Sequence, residues 1–142
     1  MKSVKSIFMI SILGCALFAT LNSTAQVRFE KGGIKSLKER AVKESKYIFV
    51  SLYADWCNPC RAMYAEVYSN GEVGEYINKR FVSARFNVDR EPGRSLAMEY
   101  GVRGIPAFLL FDEEYNLLGG CEGYLGRDEF IESVGTLLRE EE

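Results

Sequence analysis

Tyr47-Ile48-Phe49-Val50-Ser51-Leu52-Tyr53, followed at once by Ala54-Asp55-Trp56-Cys57-Asn58-Pro59-Cys60, sets the architecture of this chain. The first seven residues are almost continuously apolar, as expected of a central strand covered on both faces. Two thiols three residues apart follow directly. Positions i and i+3 of a helix have Cα atoms about 5 Å apart, within the range a disulfide tolerates. Cys57 and Cys60 therefore form a local couple that opens and closes with little backbone movement, and thiol–disulfide exchange is the leading chemistry.

Working outward, Ile34, Leu37, Ala41 and Val42 form the apolar stripe of an amphipathic helix before the strand. After the thiols, Pro59 to about Tyr68 reads as a helix with Met63, Tyr64 and Val67 on one side. Pro59 suits an early helical position, where no amide hydrogen is required. Ser69-Asn70-Gly71 interrupts it, Val73 to Lys79 continues as a second helical piece, and Phe81 to Val88 is the next strand. Strand, helix, strand in this order implies a parallel crossover. Arg94 to Tyr100 is a short helix ending near Gly101. Ala107 to Phe111 is a further strand, Asp112 to Asn116 a turn, and Leu117 to Glu122 its antiparallel partner. A closing helix from about Arg127 to Leu138 buries Phe130, Ile131, Val134, Leu137 and Leu138.

The chain of 142 residues has no histidine, which excludes an imidazole-based triad and His-ligated zinc. Its N-terminus carries a basic Met1-Lys2-Ser3-Val4-Lys5-Ser6 and an apolar run from Ile7 to about Leu21, the pattern of a secretory signal. Ser23 and Ala25 are small residues ahead of a cleavage point at Gln26, giving a signal peptide over 1–25 and one domain over 26–142. Two alternatives stay open: Ile12-Leu13-Gly14-Cys15 as a lipidation site, or the apolar run as an uncleaved anchor. Cleavage removes Lys2 and Lys5, so 18 basic side chains fall to 16 against 20 acidic, a net charge of −4. No polybasic footprint exists, and nucleic acid is not an expected partner. Of four cysteines, Cys57, Cys60 and Cys121 remain, an odd count that leaves one thiol unpaired. A zinc site needs about four ligands, so no metal is expected.

In this order, the segments resemble the thioredoxin superfamily over about Ile34 to Leu138. Ala54-Asp55-Trp56-Cys57-Asn58-Pro59-Cys60 resembles the family's active-site segment, and Gly104-Ile105-Pro106-Ala107-Phe108 resembles its cis-proline segment. Glu66-Val67-Tyr68-Ser69-Asn70, Val73, Tyr76-Ile77-Asn78 and Phe81-Val82 are similar to exported bacterial thiol–disulfide exchange proteins. The resemblance implies an α/β thioredoxin fold: a central mixed β-sheet flanked by helices.

The resemblance also implies roles. Cys57, at the helix start where unpaired amides favour its thiolate, is the expected exposed nucleophile; Cys60, more buried, resolves the mixed disulfide. A permanent disulfide is the alternative. Asn58 and Pro59 replace the Gly-Pro common in reducing thioredoxins, and Asn58 adds no charge. Trp56 is expected to pack beside the pair, or else to be a core tryptophan. Ile105-Pro106 is expected to be a cis peptide facing Cys57, with flanking backbone that pairs with an extended substrate. Ser51 stands where thioredoxins commonly carry a buried aspartate that helps deprotonate the second cysteine. Serine cannot be that ionised base, so slower resolution is expected. Arg85 on the neighbouring strand reads as a solvated charge, with stabilisation of a thiolate as the alternative. Cys121 reads as a buried thiol, with a third redox thiol as the alternative.

The expected function is reduction or isomerisation of protein disulfides by an exported, periplasmic, monomeric enzyme. No cofactor is expected beyond the cysteines, and a membrane thiol transporter or other dithiol donor would restore the reduced form. Two other readings stand beside it: a non-catalytic peptide-binding or chaperone module, and a client-specific factor delivering thiols or metal.

Overall fold

Continuous apolarity makes Tyr47–Tyr53 the middle of a layered structure, and in the computed structural model, which describes residues 25–139, it lies at the centre of a five-stranded sheet. The expected signal peptide, lipidation site and anchor lie outside the described residues, apart from Ala25. In chain order the elements are β1 (Phe29–Glu30), α1 (Ile34–Glu44), β2 (Tyr47–Tyr53), α2 (Asn58–Met63), a π-helical turn (Tyr64–Tyr68), α3 (Gly71–Arg80), β3 (Phe81–Asn87), α4 (Gly93–Glu99), β4 (Ala107–Phe111), β5 (Leu117–Glu122) and α5 (Arg127–Arg139). The strands lie in the order β1-β3-β2-β4-β5. β3 runs parallel to both β1 and β2, whereas β4 is antiparallel to β2 and to β5. This is the mixed sheet flanked by helices that the sequence implies. No helix among the described residues is long and apolar enough to cross a membrane.

Alternation along β2 sends its side chains into two cores. Phe49 points to a layer built from Met63, Val67, Tyr68, Ile77, Phe108, Phe130 and Val134. Ile48, Val50 and Leu52 point the other way, against Leu37 and Ala41 of α1 and Leu96 of α4. Both layers exclude water from β2, five of whose seven residues are buried.

Four details depart from the sequence expectations. Val42 is 61% exposed. It lies about 100° around the helix from Ala41, beyond the edge of the stripe that Leu37 and Ala41 bury. The helix after the thiols does not run unbroken to Tyr68. It widens after Met63, with the Ser69 amide bonding back to the Tyr64 carbonyl at 3.0 Å, and this shift brings Tyr68 into the core while Tyr64 stays at the surface. On α5 only Phe130 and Val134 are fully buried, while Ile131, Leu137 and Leu138 pack at the margin of the core. β1 was not anticipated, since two residues carry no periodic signal.

Asn70 explains why the chain restarts as α3 two residues before the expected Val73. Its Oδ1 accepts the amides of Glu72 at 3.0 Å and Val73 at 3.2 Å, satisfying two of the free donors at a helix start. The segment before β1 is then seated on α3. Asn78 receives the Arg28 amide and donates to the Gln26 carbonyl, each at 2.9 Å, and the Val27 amide bonds the Tyr68 carbonyl at 2.8 Å. Gly74 makes room for this contact: a Cβ there would fall 1.4 Å from the Ala25 oxygen and 2.7 Å from the Gln26 carbonyl carbon.

Replacing glycine by alanine inside a helix ordinarily stabilises it by about 1 kcal/mol. At this seat the overlap is with backbone and outweighs that gain, so Gly74→Ala is expected to lose about 2 kcal/mol in urea unfolding. A variant as stable as the parent would show that residues 25–27 are not seated on α3.

Candidate functional site

The carboxyl end of β2 leads into a tight turn, where the Cys57 amide bonds the Ala54 carbonyl at 3.2 Å. Cys57 then caps α2: its backbone is extended, and its sulfur accepts the Cys60 amide at 3.2 Å. An amide hydrogen aimed at that sulfur favours thiolate over thiol when the pair is reduced. Cys57 and Cys60 are joined as a disulfide with a Cα–Cα separation of 5.3 Å, the reach expected from positions i and i+3. Asn58 and Pro59 are the first two helical residues, so proline takes a position whose amide would lack a helical partner.

The cysteines are not distinguished by burial, contrary to the expectation of an exposed Cys57 and a deeper Cys60. Each is only 3% exposed. They differ in what they face. Cys60, not Cys57, lines a cavity of about 510 Å³ together with Tyr53, Tyr64, Arg61 and Arg85. Ile105 packs against the cluster formed by Ala54, Cys57 and Cys60, and the Ile105–Pro106 peptide is cis. The Pro106 carbonyl accepts the Gly123 amide at 2.7 Å, so that oxygen is engaged within the protein. A second cis peptide, Glu91–Pro92, was not anticipated.

Trp56 is 68% exposed, which removes the core reading. Its Nε1 donates to Asp89 Oδ2 at 2.9 Å, and the Asp89 amide in turn bonds Asn87 Oδ1 at 2.8 Å, tying the indole to the segment after β3. Asp55 and Arg90 form an exposed ion pair at 3.6 Å across the same gap, a contact worth little by itself. Arg61 donates to the Asp55 carbonyl at 2.8 Å and to the Asn58 side chain. The rim of the site is therefore charged and cross-linked between two loops.

Toward the redox end of β2 and β3 the largely aromatic face of the sheet turns polar. Ser51 is buried at the middle of β2, in register with Arg85 on β3 and Phe108 on β4. Arg85 is half-buried and is not a solvated strand charge. Its guanidinium carbon lies 4.2 Å from the Tyr53 ring centre and 4.4 Å from that of Tyr64, and its Nε is buried with no hydrogen-bond partner. No acidic side chain among the described residues forms an ion pair with it. The Tyr68 hydroxyl is also buried; the Ser51 hydroxyl lies close to it, but outside hydrogen-bond geometry. Burial pushes that phenol up to about 12, with the Ser51 hydroxyl and the Arg85 charge opposing the rise.

Cys121 is a free, half-buried thiol on β5, in register with Phe108, and packs at the edge of the aromatic layer. The aromatic cage around Arg85 escaped sequence reading. Its signal was nonetheless present, because alternation puts Arg85 on the same inward face as Phe81 and Ser83.

A disulfide closed where a central strand hands over to a helix, with a cis-proline segment packed beside it, is the arrangement of thioredoxin-like domains. The thioredoxin-like domain family matches residues 34–137, and this chain belongs to it. The chain is 33% identical over 134 residues to the chloroplastic thioredoxin-like protein HCF164 of Oryza sativa subsp. japonica, a match covering 86% of this chain and 50% of that protein. It therefore spans about half the length of that relative, and 37% of its counterpart in Arabidopsis thaliana. It is 28% identical over 102 residues to a thioredoxin of Buchnera aphidicola subsp. Baizongia pistaciae, covering 72% of this chain and 88% of that one. Among solved structures, a thioredoxin from Thermus thermophilus superposes with a TM-score of 0.70 at 24% identity, over 80% of this chain and 88% of that one, a likeness of fold. The oxidised C-terminal domain of DsbD from Neisseria meningitidis gives 0.61 at 25% identity, over 78% of this chain and 97% of that domain.

The raised Tyr68 phenol has a consequence at high pH. The unfolded chain releases this proton near pH 10 and the folded protein only near 12, so stability is lost as pH rises through that window. Tyr68→Phe removes this component and an unpartnered buried hydroxyl, and is expected to gain about 1 kcal/mol at neutral pH. Urea unfolding from pH 7 to 12 checks both effects; a loss of stability at neutral pH would mean that the hydroxyl is bonded.

Proposed function

We propose that this protein is an exported thiol–disulfide oxidoreductase of the cell envelope, with residues 26–142 as one catalytic domain, that reduces or isomerises disulfides in protein substrates. The observation that carries the reading is the Cys57–Cys60 disulfide at the cap of α2, 5.3 Å between Cα atoms, with Ile105 packed beside it. Likeness to the DsbD C-terminal domain, solved in oxidised and reduced forms, supports a cycling pair and an envelope setting. The basic and apolar N-terminal segment supports export.

In the reductive direction, the Cys57 thiolate attacks one sulfur of a substrate disulfide. A Cys57–substrate bond forms, and the other substrate sulfur leaves as a thiolate that takes a proton from water. Cys60 then attacks Cys57, closing the Cys57–Cys60 bond and releasing the second substrate sulfur with its electron pair. Two electrons pass from the cysteine pair to the substrate, and a dithiol donor, such as a membrane thiol transporter, returns them. The substrate lies in extended form against Ile105 and Pro106 beside Trp56. Because the Pro106 carbonyl is already bonded to Gly123, main-chain pairing falls to Ile105.

Insulin reduction by dithiothreitol tests the chemistry: the parent protein is expected to accelerate it, and Cys57→Ser to return it to background. Cys60→Ser is expected to hold substrates as mixed disulfides through Cys57. Equivalent trapping by Cys57→Ser, through Cys60, would contradict the assignment of unequal roles, and no acceleration by the parent would leave a binding module instead.

Export has its own test. The intact mass of the envelope form is expected to match a chain starting at Gln26. A product acylated at Cys15, or one retaining Met1, would replace cleavage with anchoring.

A further inference from the structure

We propose that Arg85 is the charge that makes Cys60 a competent resolving thiolate, in place of a buried carboxylate base. The inference deepens the exchange reaction proposed above and rests on it.

The geometry begins with the cavity beneath the disulfide, which Cys60 and Arg85 share and Cys57 does not line. The cavity therefore lies on the Cys60 side of the pair. Arg85 is held there by rings: Tyr53 and Tyr64 at 4.2 and 4.4 Å, with Phe29 at 5.5 Å. Aromatic faces attract a guanidinium without neutralising it, so its charge remains available to an anion nearby. Its cross-strand neighbour on β2 is Ser51, which brings no negative charge.

The other groups facing the cavity do not supply a base. Asp55 is the one carboxylate in its lining, is largely exposed, and is already paired with Arg90. Arg61 is directed to the Asp55 carbonyl and Asn58 at the solvent-exposed rim, where water screens it. Tyr53 and Tyr64 line the walls, and Tyr68, beneath Ser51, keeps its proton until about pH 12. Arg85 is thus the cation in a half-buried, poorly screened position, and an opposite charge in such a place lowers a thiol pKa.

The step balances without a protein base. Cys60 gives its S–H proton to water in the cavity and becomes a thiolate that Arg85 stabilises. The thiolate attacks Cys57 Sγ, the Cys57–Cys60 bond forms, and the Cys57–substrate bond breaks. The substrate sulfur leaves with the electron pair and takes a proton from solvent. One ionisation, that of Cys60, then governs the pH profile of resolution.

The test is a thiolate titration by ultraviolet absorbance in Cys57→Ser with Cys15 and Cys121 also replaced by serine, so that Cys60 is the one thiol followed, without substrate. Adding Arg85→Met is expected to raise the midpoint by about one pH unit, a tenfold loss of thiolate at neutral pH. Arg85→Lys is expected to restore most of the shift, and Arg61→Met to move the midpoint far less. If Arg85→Met does not fold, Arg85→Gln removes the charge with a polar side chain and carries the same expectation. A midpoint unchanged in the folded neutral variant overturns the proposal. The titration needs no turnover, so an enzyme inactive on insulin with an Arg85-dependent Cys60 would sink the redox reading and keep the electrostatic one.

Discussion

Phe49 meets five other aromatic rings, and the rest of the molecule is arranged around that contact. It stacks on Phe108 at 5.7 Å between ring centres and meets Tyr68, Phe81 and Phe130 edge-on at 5.8 to 6.2 Å, with Phe29 tilted at 6.3 Å. These rings belong to β1, β3, β4, the π-helical turn and α5, so one side chain on β2 ties together every element on that face except α2, α3 and β5. Such pairs contribute about 0.5–1.5 kcal/mol each beyond the area they bury. Several together are comparable with the net stability of a domain, about 5–15 kcal/mol. Fixing β2 this firmly is what allows the next turn of chain to present two sulfurs in bonding register.

Along the same face, two residues toward the redox end, the aromatic layer gives way to Ser51 and Arg85. The change is a functional compromise. A fully apolar floor would pack better, yet burial in apolar surroundings disfavours a thiolate. The chain instead keeps a cation among rings and tolerates the buried, unpartnered Arg85 Nε, Ser83 Oγ and Tyr68 Oη. These atoms weaken the fold where the chemistry requires charge, and Phe49 and its partners offset the loss.

How much of this was legible in the sequence depended on whether a feature is local. β2, β4 and β5 fall where uninterrupted apolar runs and the intervening turn put them, at Tyr47–Tyr53, Ala107–Phe111 and Leu117–Glu122. The spacing of Cys57 and Cys60 sufficed for their disulfide. What escaped depends on geometry that periodicity does not encode. One extra residue in the turn after Met63 exchanges Tyr64 for Tyr68 in the core. Val42 lies a single residue beyond the buried stripe. The Trp56–Asp89 bond joins residues 33 apart in sequence, and the burial of Arg85 requires rings from three separate segments. The equal burial of the two cysteines likewise depends on side chains from separate segments, Tyr53, Val88 and Ile105, that pack against them.

The two outer strands bear on how this molecule meets other polypeptides. β1 is two residues long, and its Glu30 is ion-paired to Arg40 on α1. β5 carries Gly119 at φ +155°, beside an irregularity in its register with β4 at Leu110 and Phe111. Long, flat outer strands with free amides are the usual templates for edge-to-edge aggregation, and short, charged or twisted ones resist it. Under the proposed reaction, such outer strands would keep disulfide-bearing chains from being added indiscriminately to the sheet. In that reaction main-chain pairing would fall to Ile105, whose side chain packs against the cysteine cluster, so a visiting strand would arrive beside the sulfurs and find little surface on which to stay.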